Sequence, residues 1–300
     1  MRRLHIAIVG FGRLGLACAE AARNDEQIVL AGVVRRPESA QILPAPFDRI
    51  RVVSHIRELS GLDAVLVCIP AEWVRGCVHD LLQLGLPVIE CARFHGEAVL
   101  EHKQAIDRWA IRFERPAVVG AGWDPGALSL MRDLFALLTP KGHTDISHRP
   151  GISLHHTTLA GSVPGVKGAL STEHRNADGQ MERYVYVELA DGARLEEVKA
   201  AVAADPLFGR DITTVFQVDS LAALEDEHGV LLQRHGSAGQ TKHQYLMFEA
   251  RLSEAALSAQ MMLAAARALP GLKPRAYSLF DLPLGALWGE LRKDSEQTFL

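Results

Sequence analysis

Three glycines near the start of the chain have the spacing of a nucleotide-binding turn. The pattern GxGxxG follows an apolar run, residues 4–9, and precedes an alanine-rich segment, residues 16–23. In a strand–turn–helix unit the first glycine permits a tight turn, the second lets a diphosphate approach the backbone, and the third lets helix and strand pack closely. The diphosphate would then face the positive N-terminus of the helix. The predicted cofactor-binding residues of this turn are Gly10, Gly12, Arg13, Leu14 and Gly15.

Two adjacent arginines indicate which dinucleotide is bound. Arg35 and Arg36 follow a second apolar run, residues 28–34. NAD-binding proteins usually carry an acidic residue at this point for the ribose 2′-hydroxyl. Guanidinium groups instead suit a 2′-phosphate, because their planar donors match the oxygens of a phosphate. The alternative is a pair of solvated surface charges. We predict NADP as the cofactor.

The elements that must position these residues alternate along the N-terminal half. Apolar runs predict strands over residues 64–69, 87–89 and 116–120, and the intervening segments predict helices over 74–84 and 97–109. Repeated strand–helix units of this length indicate a doubly wound parallel sheet. Ligands of such sheets lie at the carboxyl ends of the strands. We therefore expect Ile69, Pro70 and Ala71, where the third strand ends, to contact the cofactor.

From about residue 143 the chain changes character. Further strands are predicted over residues 183–189, 212–218 and 245–252, with helices over 195–204 and 254–269. The last helix is rich in alanine and methionine and is expected to pack back on the nucleotide domain. We predict an α/β protein with a Rossmann-type, doubly wound parallel sheet and a smaller α+β substrate and dimerisation domain. The predicted domains are residues 1–120 for NADP binding, 121–252 for the substrate and 253–300 for the C-terminal helix and tail.

The composition excludes several classes of partner. The chain has 300 residues, of which 48% are hydrophobic and 23% charged, with a formal net charge of −4 and a pI of about 6.4. We expect no nucleic-acid partner, since such proteins usually show a basic domain or stripe. No apolar run approaches the roughly 18 residues of a membrane span. Four scattered cysteines without a CxxC pair favour the cytoplasm. The histidines lack zinc spacing, so we expect no metal.

Further motifs continue along the chain. They are Gly122-Trp123-Asp124-Pro125-Gly126, residues 150–153, residues 164–166 and Glu227-His228-Gly229. Together with the glycine turn and the paired arginines they resemble the meso-diaminopimelate D-dehydrogenase family over nearly the whole chain. This resemblance implies a homodimeric, cytoplasmic, NADP-dependent oxidoreductase of the lysine and cell-wall precursor branch. Such enzymes oxidatively deaminate the D-centre of meso-2,6-diaminopimelate, a small amino acid, or run the reductive amination in reverse.

The resemblance also implies roles for particular side chains. Asp124 would contact the amine at the reacting centre and Trp123 would shape that pocket. Arg183 and His228 would hold the carboxylate of the distal L-centre. A carboxylate beside the amine can orient it and help to move protons, and a remote clamp fixes the reacting carbon against the nicotinamide. Two alternatives stay open: Asp124 as the cap of a helix that Pro125 opens, and Arg183 as a solvated residue of a polar-faced strand.

The substrate half departs from the family pattern. Arg93 stands where the family has a second aspartate near the amine, and we expect it to repel the substrate ammonium group because like charges repel strongly in a partly desolvated cleft. The other departures are Thr172 or Glu173 for a distal threonine, residues 155–158 including His156 for a Gly-His-Ser-Asp stretch, and residues 253–254 for an asparagine. Arg93, His156 and Thr172 are retained as predicted substrate-binding residues.

These departures leave three functions open. The first is the diaminopimelate dehydrogenase that the family pattern implies. The second keeps the NADP chemistry but uses a different amino or keto acid, with Arg93 changing the pocket. The third is a sensor that binds NADPH without turnover. The retained Asp124, Arg183 and His228 favour chemistry over sensing.

Overall fold

The computed structural model describes residues 3–39, 42–94, 96–148, 154–175, 180–210, 212–221, 224 and 227–288. The chain divides into two compact units: unit 1 comprises Met1–Leu137 with Glu254–Leu300, and unit 2 comprises Leu138–Ser253. The first boundary therefore lies after Leu137 and not after residue 120 as predicted. The segment that follows residue 120 stays in unit 1 because its backbone is hydrogen-bonded there, from Ala121 N–H to the Glu90 carbonyl oxygen at 2.9 Å.

Unit 1 is built on a seven-stranded sheet. Its strands are β1 (Leu4–Val9), β2 (Ile28–Val34), β3 (Val52–Val53), β4 (Ala64–Val67), β5 (Val88–Glu90), β6 (Ala117–Val118) and β13 (Ala276–Tyr277). Their order is β13-β6-β5-β4-β1-β2-β3, and the pairings among these described strands are parallel. The chain runs from β1 outward to β2 and β3 on one side. It then crosses back to β4, on the other side of β1. Such a reversal of strand order is where dinucleotides bind in doubly wound sheets.

Helices cover both faces of this sheet. They are α1 (Arg13–Arg23), α2 (Ala71–Gln83), α3 (Glu97–Arg112), α4 (Ala127–Leu138), α7 (Glu254–Ala268) and α8 (Leu284–Leu287). Alternate strand residues explain the two layers: Ile6 and Ile8 face α1 and α7, whereas Ala7 shares a cluster with residues of α2 and α3. Because both faces are buried, the strands are continuous apolar runs. The predicted α/β fold with a doubly wound parallel sheet is confirmed.

The described residues of unit 2 form two three-stranded sheets and include the helices α5 and α6. Its elements are β7 (Lys141–His148), α5 (Leu154–Gly161), β8 (Val166–Arg175), β9 (Met181–Leu189), α6 (Leu195–Ala204), β10 (Ile212–Gln217), β11 (Glu227–Ala238) and β12 (Thr241–Ser253). In the sheet β10-β9-β8, β10 is parallel and β8 antiparallel to β9, and the sheet β12-β11-β7 is antiparallel. One face of the first sheet packs on α5 and α6 around Val185 and Val187.

Within the described part of the chain, every helix is too short or too polar to span a membrane.

Candidate functional site

The glycine turn between β1 and α1 has the geometry that the motif predicts. Gly10 has φ +91°, and a Cβ there would lie 2.4 Å from the Cys68 carbonyl oxygen. A Cβ on Gly15 would lie 2.2 Å from the Gly10 carbonyl oxygen, so this position holds the helix against the turn. A Cβ on Gly12 would meet nothing within 4 Å. The first and third glycines therefore serve the fold, and the second leaves space open for a ligand.

A cleft of about 840 Å³ opens beside this turn. Its lining residues are Val9, Gly10, Phe11, Gly12, Val34, Arg35, Arg36, Pro37, Ser39, Ser54, Cys68, Ile69, Pro70 and Trp73. Six of the predicted cofactor-binding residues are among them: Gly10, Gly12, Arg35, Arg36, Ile69 and Pro70. The other four, Arg13, Leu14, Gly15 and Ala71, lie in the first turns of α1 and α2 and are not on this lining.

The cleft fits a dinucleotide phosphate. Gly12 is the N-cap of α1 and supplies no side-chain cap, so the positive end of the helix is open to an anion. Arg35 lies with its guanidinium carbon 6.0 Å from the Phe11 ring centroid, and the Arg36 side chain is exposed beside Glu38 at 3.7 Å. Both arginines line the cleft on the β2 side, where a 2′-phosphate would be bound.

Two thiols in this region, Cys68 and Cys91, have a raised pKa. Cys18 Sγ and Cys68 Sγ are 3.7 Å apart, and their hydrogen bond together with burial raises the pKa of Cys68 well above its ordinary value. Burial also raises the pKa of the Cys91 thiol. A raised pKa disfavours the thiolate, which is the nucleophilic form of a cysteine.

Glu90, at the end of β5, joins two loops of unit 1. Its buried carboxylate accepts hydrogen bonds from Ala92 N–H at 2.5 Å and from Gly120 N–H at 3.1 Å. His102 Nε2 of α3 lies 3.2 Å from the same carboxylate. Glu90 thereby fixes the loop that carries Arg93 to the loop that carries Asp124. Sequence reasoning missed it, although an acidic residue ending an apolar run was the signal.

The loop after β6 holds Trp123 rigidly. The backbone N–H of Trp123 donates to Ser258 Oγ at 3.0 Å, and the residue is 5% exposed. Gly126 has φ +144°, and a Cβ there would lie 2.0 Å from the Gly122 carbonyl oxygen. Asp124 is half-buried between them, and α4 begins three residues later, at Ala127. Among the described residues no hydrogen bond from the helix to the Asp124 carboxylate is present, which argues against the cap alternative.

Arg93 has a partner that the sequence did not reveal. Its guanidinium forms an ion pair with Glu254, the first residue of α7. Arg93 is 62% exposed, and Glu254 is largely buried. The expected repulsion of a substrate ammonium group by Arg93 stays a prediction, and the adjacent Glu254 carboxylate would weaken that repulsion.

The register of unit 2 separates two predicted residues. Arg183 lies opposite Glu173 in the β8–β9 pairing, whereas Thr172 lies opposite Tyr184. Since successive residues of a strand point to opposite faces, Arg183 and Thr172 do not share a face. The sheet therefore does not bring Thr172 to Arg183, and the alternative position, Glu173, is the one opposite it.

Arg183 is buried and not the solvated strand residue of the alternative interpretation. Its Nη1 donates to Ser171 Oγ at 3.5 Å on the face that packs against α5 and α6. His156 of α5 is also on this side, with its ring 5.2 Å from the Phe208 ring. His228 occupies β11 opposite Leu252, and its side chain lies outside the described residues.

Comparison with known proteins gives the family. No family model matches the chain. A curated meso-diaminopimelate D-dehydrogenase of Bacteroides fragilis is 35% identical over 285 residues, covering 95% of each chain. The chain belongs to the meso-diaminopimelate D-dehydrogenase family. A second member, from Lysinibacillus sphaericus, is 25% identical and covers 96% of each chain. The predicted resemblance is confirmed, and with it the expectation of an amino-acid dehydrogenase.

Solved structures agree on the fold. The C. glutamicum diaminopimelate dehydrogenase in complex with diaminopimelate has a TM-score of 0.67 at 19% identity and covers all of both chains. An engineered D-amino acid dehydrogenase bound to NADP⁺ has a TM-score of 0.64 at 18% identity, over 99% of this chain and 100% of that one. At these identities the likeness shows the fold alone.

Proposed function

We propose that this protein is an NADP-dependent dehydrogenase that oxidatively deaminates the D-centre of meso-2,6-diaminopimelate and catalyses the reverse reductive amination. One observation carries the proposal. In this chain of the family, Gly12, with free space around it, and the pair Arg35–Arg36 line the same cleft. The paired arginines support the phosphorylated cofactor because charge-assisted, planar donors match a phosphate.

The residues of unit 1 would hold the cofactor and the amine. Gly12 and the N-terminus of α1 bind the diphosphate, and Arg35 and Arg36 bind the 2′-phosphate. When bound, NADP accepts a hydride from the substrate carbon. Asp124 orients the substrate ammonium group and takes a proton from it, so that the nitrogen can become the imine that water attacks. Trp123 forms an apolar wall beside Asp124 and limits access of bulk water.

The predicted substrate-binding residues of unit 2 are proposed for the distal carboxylate of the substrate. The buried guanidinium of Arg183 supports a role in binding the distal carboxylate, since a desolvated arginine binds carboxylates with good geometry. His228 and His156 are the proposed further contacts. A grip remote from the chemistry fixes the reacting carbon and lowers the entropy lost at the reaction step.

A second candidate substrate is favoured by Arg93, whose side chain remains 62% exposed although it pairs with Glu254. This pair puts an exposed guanidinium on the loop after β5, beside the loop that carries Asp124. A guanidinium there could bind a carboxylate or keto group. The second candidate function is accordingly NADP-dependent oxidation or reduction of a different amino or keto acid.

A homodimer in the cytoplasm is part of the proposal, as is a place in the lysine and cell-wall precursor branch. The exposed apolar side chains Tyr245 and Met247, on the sheet of β7, β11 and β12, support a surface that a second copy covers. The free thiols of the four cysteines support a reducing compartment.

The test is NADP reduction at alkaline pH with the separate meso, LL and DD isomers of diaminopimelate. Lysine, ornithine and common D-amino acids serve as alternative substrates. We expect turnover with the meso isomer and none with the LL isomer, and a loss of turnover in Asp124→Asn with NADPH affinity unchanged. Turnover with another amine, and none with any diaminopimelate isomer, would establish the second candidate. No turnover with any of these substrates would overturn the proposal.

A further inference from the structure

Trp73 is exposed in a way that needs an explanation. It is 67% exposed, and of the four tryptophans of the chain it leaves the largest fraction of its surface in water. It lies in the first turn of α2, where its backbone N–H donates to the Pro70 carbonyl oxygen at 3.0 Å. A large aromatic ring held on a helix end and left uncovered is typical of a binding surface.

The ring stands on the wall of the cofactor cleft. Trp73 lines it from the β4 side, and Arg35, Arg36 and Pro37 line it from the β2 side. β1 lies between these two strands, so the glycine turn forms the base of the cleft. Trp73 and the paired arginines are therefore on opposite walls of one opening, on either side of the glycine turn.

The positions of the two phosphate-binding groups determine which part of a dinucleotide lies beside Trp73. The diphosphate belongs at Gly12 and the 2′-phosphate at Arg35 and Arg36. Adenine is attached to the same ribose as the 2′-phosphate, so it must lie within a few ångströms of the arginines. A flat purine in this position meets the β2 wall on one side and the β4 wall on the other.

Two aromatic rings line the cleft, and they differ in availability. Phe11 packs edge-on against Phe47 at 6.1 Å between ring centroids and lies under Arg35. Trp73 makes no ring contact of this kind among the described residues. An indole stacks well on purines, since every base has an aromatic face. We propose that Trp73 binds the adenine ring of the cofactor by stacking and so is a cofactor-binding residue of this chain.

This inference rests on the proposed NADP-dependent function, and the experiment separates the two. The probes are NADPH, adenosine 2′,5′-bisphosphate and nicotinamide mononucleotide, each titrated into the wild type, Trp73→Ala and Trp73→Phe. The control is Trp288→Ala, which removes a tryptophan that is 47% exposed and absent from the cleft lining. Binding is followed by calorimetry and by quenching of tryptophan fluorescence.

The adenine assignment predicts a specific pattern. In Trp73→Ala the Kd values of NADPH and of the bisphosphate rise by the same factor, about 10-fold, from the loss of one stacked base. Nicotinamide mononucleotide is unaffected, Trp73→Phe regains most of the affinity, and Trp288→Ala binds like the wild type. The fluorescence quenched by the bisphosphate in the wild type is lost in Trp73→Ala.

Other results would overturn the inference in distinguishable ways. Equal Kd values for wild type and Trp73→Ala, with tight NADPH binding in both, remove Trp73 from the site and leave the proposed function intact. Weaker NADPH binding with unchanged bisphosphate binding assigns Trp73 to the nicotinamide half. A wild type that binds neither NADPH nor the bisphosphate refutes the proposed function and the stacking together.

Discussion

At the scale of single residues, the ion pair between Arg93 and Glu254 would set the charge at the proposed binding site of the substrate amine. In isolation a guanidinium near a substrate ammonium group is unfavourable, and at an effective dielectric constant near 20 the cost at 4 Å is about 4 kcal/mol. Glu254 offsets that field, and solvent screens an arginine that is 62% exposed. The net effect of the ion pair on substrate binding is accordingly small. Changing one partner without the other leaves an unbalanced charge, whose effect on substrate binding can be measured.

Removing the carboxylate of the pair should weaken substrate binding. In Glu254→Gln the Arg93 charge is no longer balanced, and we expect KM for the amino-acid substrate to rise about fivefold, equivalent to roughly 1 kcal/mol, with kcat changed less. The matched control is the double variant Arg93→Gln/Glu254→Gln, which is neutral again and should recover the wild-type KM. If the single and double variants have the same KM, the charge of Arg93 does not act on the substrate.

The paired arginines should determine the choice of cofactor. In Arg35→Ala/Arg36→Ala the charge-assisted hydrogen bonds to a 2′-phosphate are lost, each worth about 1.5–3 kcal/mol. We expect the preference for NADP over NAD to fall about 100-fold or more, with NAD affinity unchanged, when kcat/KM is measured for both cofactors. A parallel loss for both cofactors would contradict the assignment. Arg57→Ala, an exposed arginine away from the cleft, is the control.

At the scale of elements, Gly12 and Gly15 have different roles in the turn between β1 and α1. A Cβ on Gly15 would meet a backbone oxygen at 2.2 Å, which the fold cannot accommodate without a shift of the turn. A Cβ on Gly12 points into open space, so the folded chain accepts it and a diphosphate does not.

These two positions predict opposite outcomes for the same substitution. Gly12→Ala should keep the free energy of unfolding within about 0.5 kcal/mol of wild type, as expected for a change without a clash, while NADPH affinity falls at least 10-fold. Gly15→Ala should lower the free energy of unfolding by roughly 2–4 kcal/mol, because overpacking against backbone cannot relax cheaply. Urea unfolding and NADPH titration measure the two quantities. Equal stability of the two variants would contradict the division of roles.

The sequence predicted those elements whose signals are local. β1, β2 and α6 were predicted with the bounds they have, since periodic apolar runs mark them. β11 was missed because it is a strand of mixed polarity, and β13 because it has only two residues. Both form only through partners distant in the sequence. The same limit applied to the site: spacing predicts Gly12 and Arg35, but Trp73, Glu90 and the partner of Arg93 become visible only after folding.

At the scale of the whole molecule, the sheet of β7, β11 and β12 has one face that the monomer leaves in water. Along β11, Val230, Leu232 and Arg234 are buried. The alternate residues, with their register partners Tyr245 and Met247 on β12, form the other face. Tyr245 is 46% and Met247 53% exposed. A face of this kind is expected to be covered when two copies associate.

A charge on that face should dissociate the proposed homodimer. In a two-fold interface each copy presents the same face, so Met247→Asp introduces two carboxylates at once. Desolvating them without partners costs several kcal/mol, and we expect the dimer dissociation constant to rise at least 100-fold. Leu100→Asp, on the exposed side of α3, is the matched control because Leu100 is 60% exposed and belongs to unit 1 and not to this sheet. Sedimentation velocity over a concentration series measures both variants, with circular dichroism as the check on folding. A Met247→Asp protein that dimerises as tightly as Leu100→Asp would show that the copies associate through another surface.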